Sequence, residues 1–260
     1  MTEPAINDDV PVLEVQGLSK HFGPVEALSG VDLSVRRGEV LALLGDNGAG
    51  KTTLTRCISG LYRATSGTIR VDGKEVQIAT PQDARDCGIE TVHQGLALVG
   101  KMDVAANLFL HREIFHRNPL LRALGWLDKR AMAAESTRIL EKLKVRVPSA
   151  GVPIERLSGG QRQAVAIGRA VGWGKHIVIL DEPTAALGVE QSKHVNELIL
   201  TLKSQGVAVL LISHNMQHVI ETCDRAVVLR HGRKAGDVRI PDVTARDLVD
   251  LITGAVRAAA

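Results

Sequence analysis

Gly45-Asp46-Asn47-Gly48-Ala49-Gly50-Lys51-Thr52 follows the apolar run Val40-Leu41-Ala42-Leu43-Leu44, a pattern that commits this part of the chain to a strand, a glycine turn and a helix. Glycines at both ends let the backbone curl until consecutive N–H groups point at the β- and γ-phosphates of a nucleotide, and the helix behind the turn adds the positive end of its dipole. Lys51 supplies a mobile cation and Thr52 a ligand for magnesium. The expected nucleotide-binding set runs through Gly45, Asp46, Asn47, Gly48, Ala49, Gly50, Lys51, Thr52 and Thr53. A plain glycine-rich turn is the alternative, but every fixed position of the motif is filled and the flanks read strand, then helix.

A chain of 260 residues, 45% hydrophobic, can bury one large core or a core plus a smaller lobe. Its longest apolar runs, such as Val207 to Ile212, have the length of strands and fall far short of the roughly 18 residues a membrane-spanning helix needs. The stretch from Met1 to Val10 is acidic and polar, unlike a secretory signal, so a cytosolic location is expected. Three widely spaced cysteines, Cys57, Cys87 and Cys223, form neither a disulfide framework nor a zinc spacing and read as small core residues. A net charge of +3 without a dense basic block, with only 2% aromatic residues, argues against nucleic acid as a partner.

Apolar and polar residues alternate from about Val12 to Gly38, and again on either side of Asp72-Gly73, which predicts half-buried antiparallel strands joined in part by a tight turn. Continuous apolar runs at Val40–Leu44, Ile177–Leu180 and Val207–Ile212 predict parallel strands covered on both faces. Each ends in polar chemistry: the glycine loop, Asp181-Glu182 and Ser213-His214, where open α/β sheets bind ligands. Between about Gly95 and Val165 only helical spacing appears, at Val104–Leu110 and Lys129–Leu143. Leu248, Leu251 and Ile252 share one face of a predicted helix in the tail from Thr244 to Gly254.

Leu157-Ser158-Gly159-Gly160-Gln161 opens a further helix of small residues. Ser158 and Gln161 have the spacing of a capping box, and the two glycines of the first turn let an anion approach the helix end closely. A second anion site in a chain that already binds phosphate suggests a shared one.

With this pentapeptide the sequence resembles the ATP-binding subunits of ABC transporters, over nearly the whole span from Val12 to Gly254. The resemblance implies two cassettes meeting head to tail, Leu157, Ser158, Gly159, Gly160 and Gln161 of one closing over the nucleotide held by the other. It implies a magnesium site at Thr52, Gln94 and Asp181, and a general base at Glu182 that polarises the attacking water. His214 matches the switch histidine that hydrogen-bonds the γ-phosphate, Gln94 the glutamine that senses magnesium and water, and Phe22 the aromatic ring that stacks on adenine. Gly188 departs from the pattern, standing where the general family has an aspartate. Gly88–Gln94, Asp103–Leu110, Glu182–Val189 and Ser213–Met216 are similar to the monosaccharide-importer branch, of the fructose, ribose or xylose type.

The expected fold is therefore α/β: a P-loop NTPase core with a mostly parallel central sheet, an N-terminal antiparallel β lobe and an inserted α-helical subdomain. Core and lobe are expected at 12–94 and 166–254, and the helical subdomain at 95–165. The resemblance implies ATP and Mg²⁺ as cofactors and a homodimer on the cytoplasmic face of the inner membrane. It also implies integral permease subunits as direct partners and a periplasmic sugar-binding protein as an indirect one. A soluble ABC ATPase acting on a macromolecular complex is the rival; the zinc modules, coiled-coil arms and basic linkers common in such proteins do not occur in this sequence.

Overall fold

The computed structural model describes residues 10–172 and 176–255, so the polar stretch read from Met1 onward lies outside it except for Val10. The described residues divide into two compact units, one of 10–91, 176–182 and 202–255, the other of 92–172 and 183–201.

The first unit holds two sheets. Strands β1 (Leu13–Phe22) and β2 (Val25–Val35) pair antiparallel, and β1 pairs on its other edge with β4 (Ser66–Val71), which turns into β5 (Lys74–Val76). Asp72 and Gly73 adopt φ of 49° and 75°, the left-handed pair that a two-residue hairpin turn requires. The alternation foreseen for this lobe therefore holds.

The second sheet contains β3 (Val40–Leu44), β6 (Ile89–Val92), β7 (Ile177–Asp181), β8 (Ala208–Ile212), β9 (Arg225–Arg230) and β10 (Arg233–Arg239), in the spatial order β10-β9-β3-β8-β7-β6. Strands β7, β8, β3 and β9 run parallel, and β10 closes one edge antiparallel. Every position of β3 and β8 is buried, which explains why these strands are unbroken apolar runs. One core joins the sheets, with Leu18, Leu28 and Val31 of the lobe among the same cluster as Leu41, Leu43, Leu210 and Ile212. Arg225 ties them as well: its guanidinium donates to Glu39 at 2.8 Å, to Asp237 at 2.7 Å and to the Ser34 carbonyl of β2 at 2.5 Å.

Helix α1 (Lys51–Ile58) follows β3, and the short α2 (Pro81–Asp86) precedes β6. The tail helix, numbered α9 in chain order (Ala245–Thr253), is capped by a Thr244/Asp247 box, ends at left-handed Gly254, and buries Leu248 as foreseen. Cys57 and Cys223 are buried and Cys87 half-buried against the core; burial pushes the first two thiols up to about 11 and about 12.

The second unit is helical. Helices α3 (Val104–Leu108), α5 (Lys129–Lys142) and α6 (Gly159–Val171) contribute Val104, Leu108, Met132, Leu140 and Val165 to one cluster around Phe109, with the small α4 (Pro119–Ala123) between α3 and α5. Helix α3 stops two residues short of the predicted Leu110. Buried Asn107 supports the preceding loop, accepting from the Val99 N–H at 2.7 Å and donating to the carbonyls of Val99, Met102 and Asp103. Helix α7 (Val189–Ser204) lies mostly in this unit.

Candidate nucleotide site

The glycine loop leaves β3 at Gly45, whose φ of 147° favours glycine and where a Cβ would fall 2.4 Å from the Leu229 carbonyl oxygen. Gly50, at φ 105°, is equally constrained, with Leu28 Cδ2 2.8 Å from where a Cβ would sit. Gly48 has a positive φ but nothing within 4 Å, so the crest of the loop is open. Hydrogen bonds from Ala49 N to Asp46 O, and from Gly232 N to Ala49 O, pin the remainder.

Helix α1 starts with no side-chain cap, so its first N–H groups have no side chain to accept from them. Lys51 opens this helix with its side chain folded back, and the ammonium donates to the carbonyls of Gly45 at 2.7 Å and Asp46 at 3.0 Å. Burial holds its pKa below the ordinary 10.5, against the opposing pull of Glu182, Asp46 and Asp181. A buried cation under the pull of three carboxylates, at the foot of a loop of left-handed glycines, suits a polyphosphate with its metal ion.

Asp181 ends β7, and Glu182 directly after it adopts a left-handed backbone, φ 49°, with its N–H bonded to the Ile212 carbonyl at 2.9 Å. A non-glycine residue held there marks a place where the surroundings over-determine the backbone. Glu182 Oε1 lies 2.7 Å from His214 Nε2, an ion-pair distance when the imidazole is protonated. His214 sits between the end of β8 and helix α8 (Met216–Thr222), which Asn215 caps by accepting from the His218 N–H. The first unit thus brings together Lys51, Asp181, Glu182 and His214 beyond the carboxyl ends of three parallel strands.

Phe22 closes β1 with its ring 42% exposed, which does not fit a core residue. Tyr62 meets it edge-on, centroids 5.2 Å apart, and the Lys20 ammonium lies 4.9 Å from its centroid.

The remaining expected residues lie in the second unit. Gln94 is exposed just after β6, ahead of two consecutive left-handed residues, Leu96 and Ala97. Arg169 of α6 donates to both of their carbonyls, at 3.0 and 2.8 Å. The pentapeptide forms the anticipated capping box: the Ser158 hydroxyl accepts from the Gln161 N–H, and the Gln161 side chain accepts from the Ser158 N–H. Leu157 is buried and Ser158 exposed. Gly159 and Gly160 also have a packing reason to lack side chains, since Cβ atoms there would meet Leu187 at 3.0 Å and Gln191 at 3.2 Å. Gly188 has nothing within 4 Å of a would-be Cβ, so its departure from aspartate is not steric.

Sequence reasoning missed Tyr62, Lys20, Arg169, Leu187 and Gln191, all of which act through neighbours distant in sequence or through packing that no motif spells out. Arg169 carried a faint signal, as a lone cation in the last turn of a helix of small residues.

A glycine loop, a buried lysine and an acidic strand end beside a histidine together define an α/β nucleotide-hydrolysing cassette. The chain belongs to the ABC transporter family, whose match spans residues 28–185, and it is an ATP-binding, ATP-hydrolysing member. It is 44% identical to the fructose import ATP-binding protein FrcA of Rhizobium meliloti, over 94% of this chain and 95% of that one. It is 40% identical to the xylose/arabinose import ATP-binding protein XylG of Sulfolobus acidocaldarius, over 93% and 94%. The ribose import ATP-binding protein RbsA 2 of Escherichia coli O157:H7 is 38% identical over 95% of this chain, which spans 47% of that longer protein. In three dimensions the chain is similar to a nucleotide-free ATP-binding cassette from an ABC transporter, with TM-score 0.77 and 28% identity over 93% of this chain and 98% of that one.

Proposed function

We propose that the chain powers import of a monosaccharide through a separate membrane permease, working as a homodimer at the cytoplasmic face of the inner membrane. The similarity to fructose, xylose/arabinose and ribose import proteins supports the sugar class. A periplasmic sugar-binding protein would deliver the substrate to the permease, and the segment from Gly95 to Leu110 would carry motion to that permease.

The observation that carries the catalytic reading is the Glu182–His214 pair at 2.7 Å beside a buried Lys51. Lys51 and the amides of residues 45–53 hold the β- and γ-phosphates, and Phe22 stacks on the base. Glu182 takes a proton from the water that attacks the γ-phosphorus in line as the bond to the β-phosphate oxygen breaks and ADP leaves. His214, beside Glu182, hydrogen-bonds the γ-phosphate, and Ser158 and Gly160 of the second copy complete the shell. Thr52, Asp181 and Gln94 would hold magnesium, which when bound neutralises charge on the phosphate oxygens. The donor set, two side-chain oxygens and one carboxylate, suits an ion that takes one or two carboxylates and completes its shell with phosphates and water.

Glu182→Gln tests the reading. The variant is expected to bind ATP as wild type does, to hydrolyse it at least ~100-fold more slowly, the scale of a lost general base, and to run as a dimer with Mg-ATP in light scattering. Turnover near the wild-type rate, or a monomer under those conditions, overturns it.

A further inference from the structure

Residues 111–130 of the second unit have no part in the nucleotide chemistry, yet they form an ordered knob that turns large apolar side chains outward. Phe115 and Leu127 face each other in an antiparallel bridge, flanked by hydrogen bonds from His116 N to Trp126 O and from Asp128 N to Ile114 O. Helix α4 sits at the tip, capped by Asn118 and closed by Trp126 N bonding to Leu121 O. These bonds tie the segment to itself. Even so, Leu120 is 75% exposed, Leu124 72%, Trp126 61%, Phe115 45% and Leu127 37%. Five of the fourteen large apolar side chains exposed among the described residues fall within these thirteen positions, a density that marks an interaction surface.

Charge narrows the choice of partner. Arg117, Arg122, Lys129 and Arg130 are exposed, and among the described residues none has an acidic group within ion-pair distance. The two acids nearby are turned to the backbone: Glu113 accepts from the His111 N–H at 3.1 Å, and Asp128 accepts from the Ala131 N–H at 2.9 Å. Leu120 of α4 and its C-cap residue Leu124 are four apart, with Arg122 between them in sequence and Trp126 just beyond. Exposed leucines, an indole and unpaired arginines suit the interfacial zone of an anionic bilayer, where apolar side chains enter the acyl boundary and the cations meet lipid phosphates.

We infer that this knob, centred on Leu120, Leu124 and Trp126 with Arg117 and Arg122, docks on an anionic lipid surface. The inference draws on the proposed place beside a membrane only for its location in the cell, and its test needs neither nucleotide nor permease.

The full chain is sedimented with vesicles of phosphatidylcholine alone and with vesicles holding equal parts of phosphatidylglycerol. Binding is expected only with the anionic lipid and should weaken as salt rises from about 50 to 500 mM. L120D/W126D and R117E/R122E are each expected to lower the bound fraction at least ~10-fold, with ATP hydrolysis in solution unchanged because no residue of the nucleotide site is altered. A Trp173→Phe background isolates the Trp126 fluorescence, which should shift to the blue on binding. Absence of binding to anionic vesicles at low salt, or equal binding by the variants, overturns the inference. So does loss of permease association in the variants without any vesicle binding, which would assign the knob to a protein partner. Wild-type turnover by Glu182→Gln together with salt-sensitive vesicle binding lost in L120D/W126D and R117E/R122E would overturn the catalytic reading and support this inference.

Discussion

Two helices of this protein begin at places suited to a phosphate, and they begin in opposite ways. Helix α1 opens with a left-handed glycine, no side-chain cap and a buried lysine, whereas α6 opens with Ser158 and Gln161 satisfying each other's backbone. The first has no side-chain cap on its end, whereas in the second the N–H groups of Ser158 and Gln161 are already paired and the box leaves those of Gly159 and Gly160 to another acceptor. A site that must grip a nucleotide gains from unsatisfied donors. A surface that only closes over a nucleotide held elsewhere must keep its shape while apart from it.

The strongest way to break this contrast is Gly45→Ala. The added Cβ has backbone on one side and Ala49 on the other, so a loss of ~2–4 kcal/mol in unfolding free energy is expected together with loss of ATP binding. Denaturant titration and calorimetric binding read both, and a variant that still binds ATP would show that the loop tolerates another path.

Next comes Lys51→Met. ATP affinity should fall at least ~100-fold, but the nucleotide-free protein should be no less stable, because a buried charge is removed. Burial lowers the Lys51 pKa from 10.5, so the unfolded chain holds more protons than the folded one between the two values, and this group's contribution to stability rises with pH across that window. The raised Cys57 and Cys223 thiols act in the opposite direction above about 9, so the wild-type minus Lys51→Met difference isolates the lysine. A difference that stays flat as pH rises would remove Lys51 from the account.

The smallest effect sharpens the other side. Ser158→Ala should cost ~1 kcal/mol as a lost cap, and Ser158→Asp, which can cap as well, should restore most of it in thermal melts. No change in Ser158→Ala would mean that α6 relies on packing alone.

Much of this was legible in the chain because the chemistry is local. The strand, glycine loop and helix are contiguous, the capping box spans four residues, and the buried strands are unbroken apolar runs. Strand β9 shows the limit: Ala226-Val227-Val228-Leu229 carries the same apolar signal as β3, but a run of four hemmed by arginines does not by itself separate a strand from a turn of buried helix. Helix α7 also went unread although Val195, Leu198, Ile199 and Leu202, all buried, repeat at helical spacing. Other features had no local signal. The left-handed Glu182 depends on the Ile212 carbonyl, and the turn after Gln94 depends on Arg169, seventy-odd positions away.

Arg225 has a mechanical meaning beyond its ion pairs. By clasping a carbonyl of the antiparallel lobe and two carboxylates around the central sheet, it removes slack between the layer that ends in Phe22 and the layer that ends in the glycine loop. In the proposed binding mode, a nucleotide held at base and phosphates would meet a gauge of fixed span, and any travel on cleavage would be taken up elsewhere in the chain.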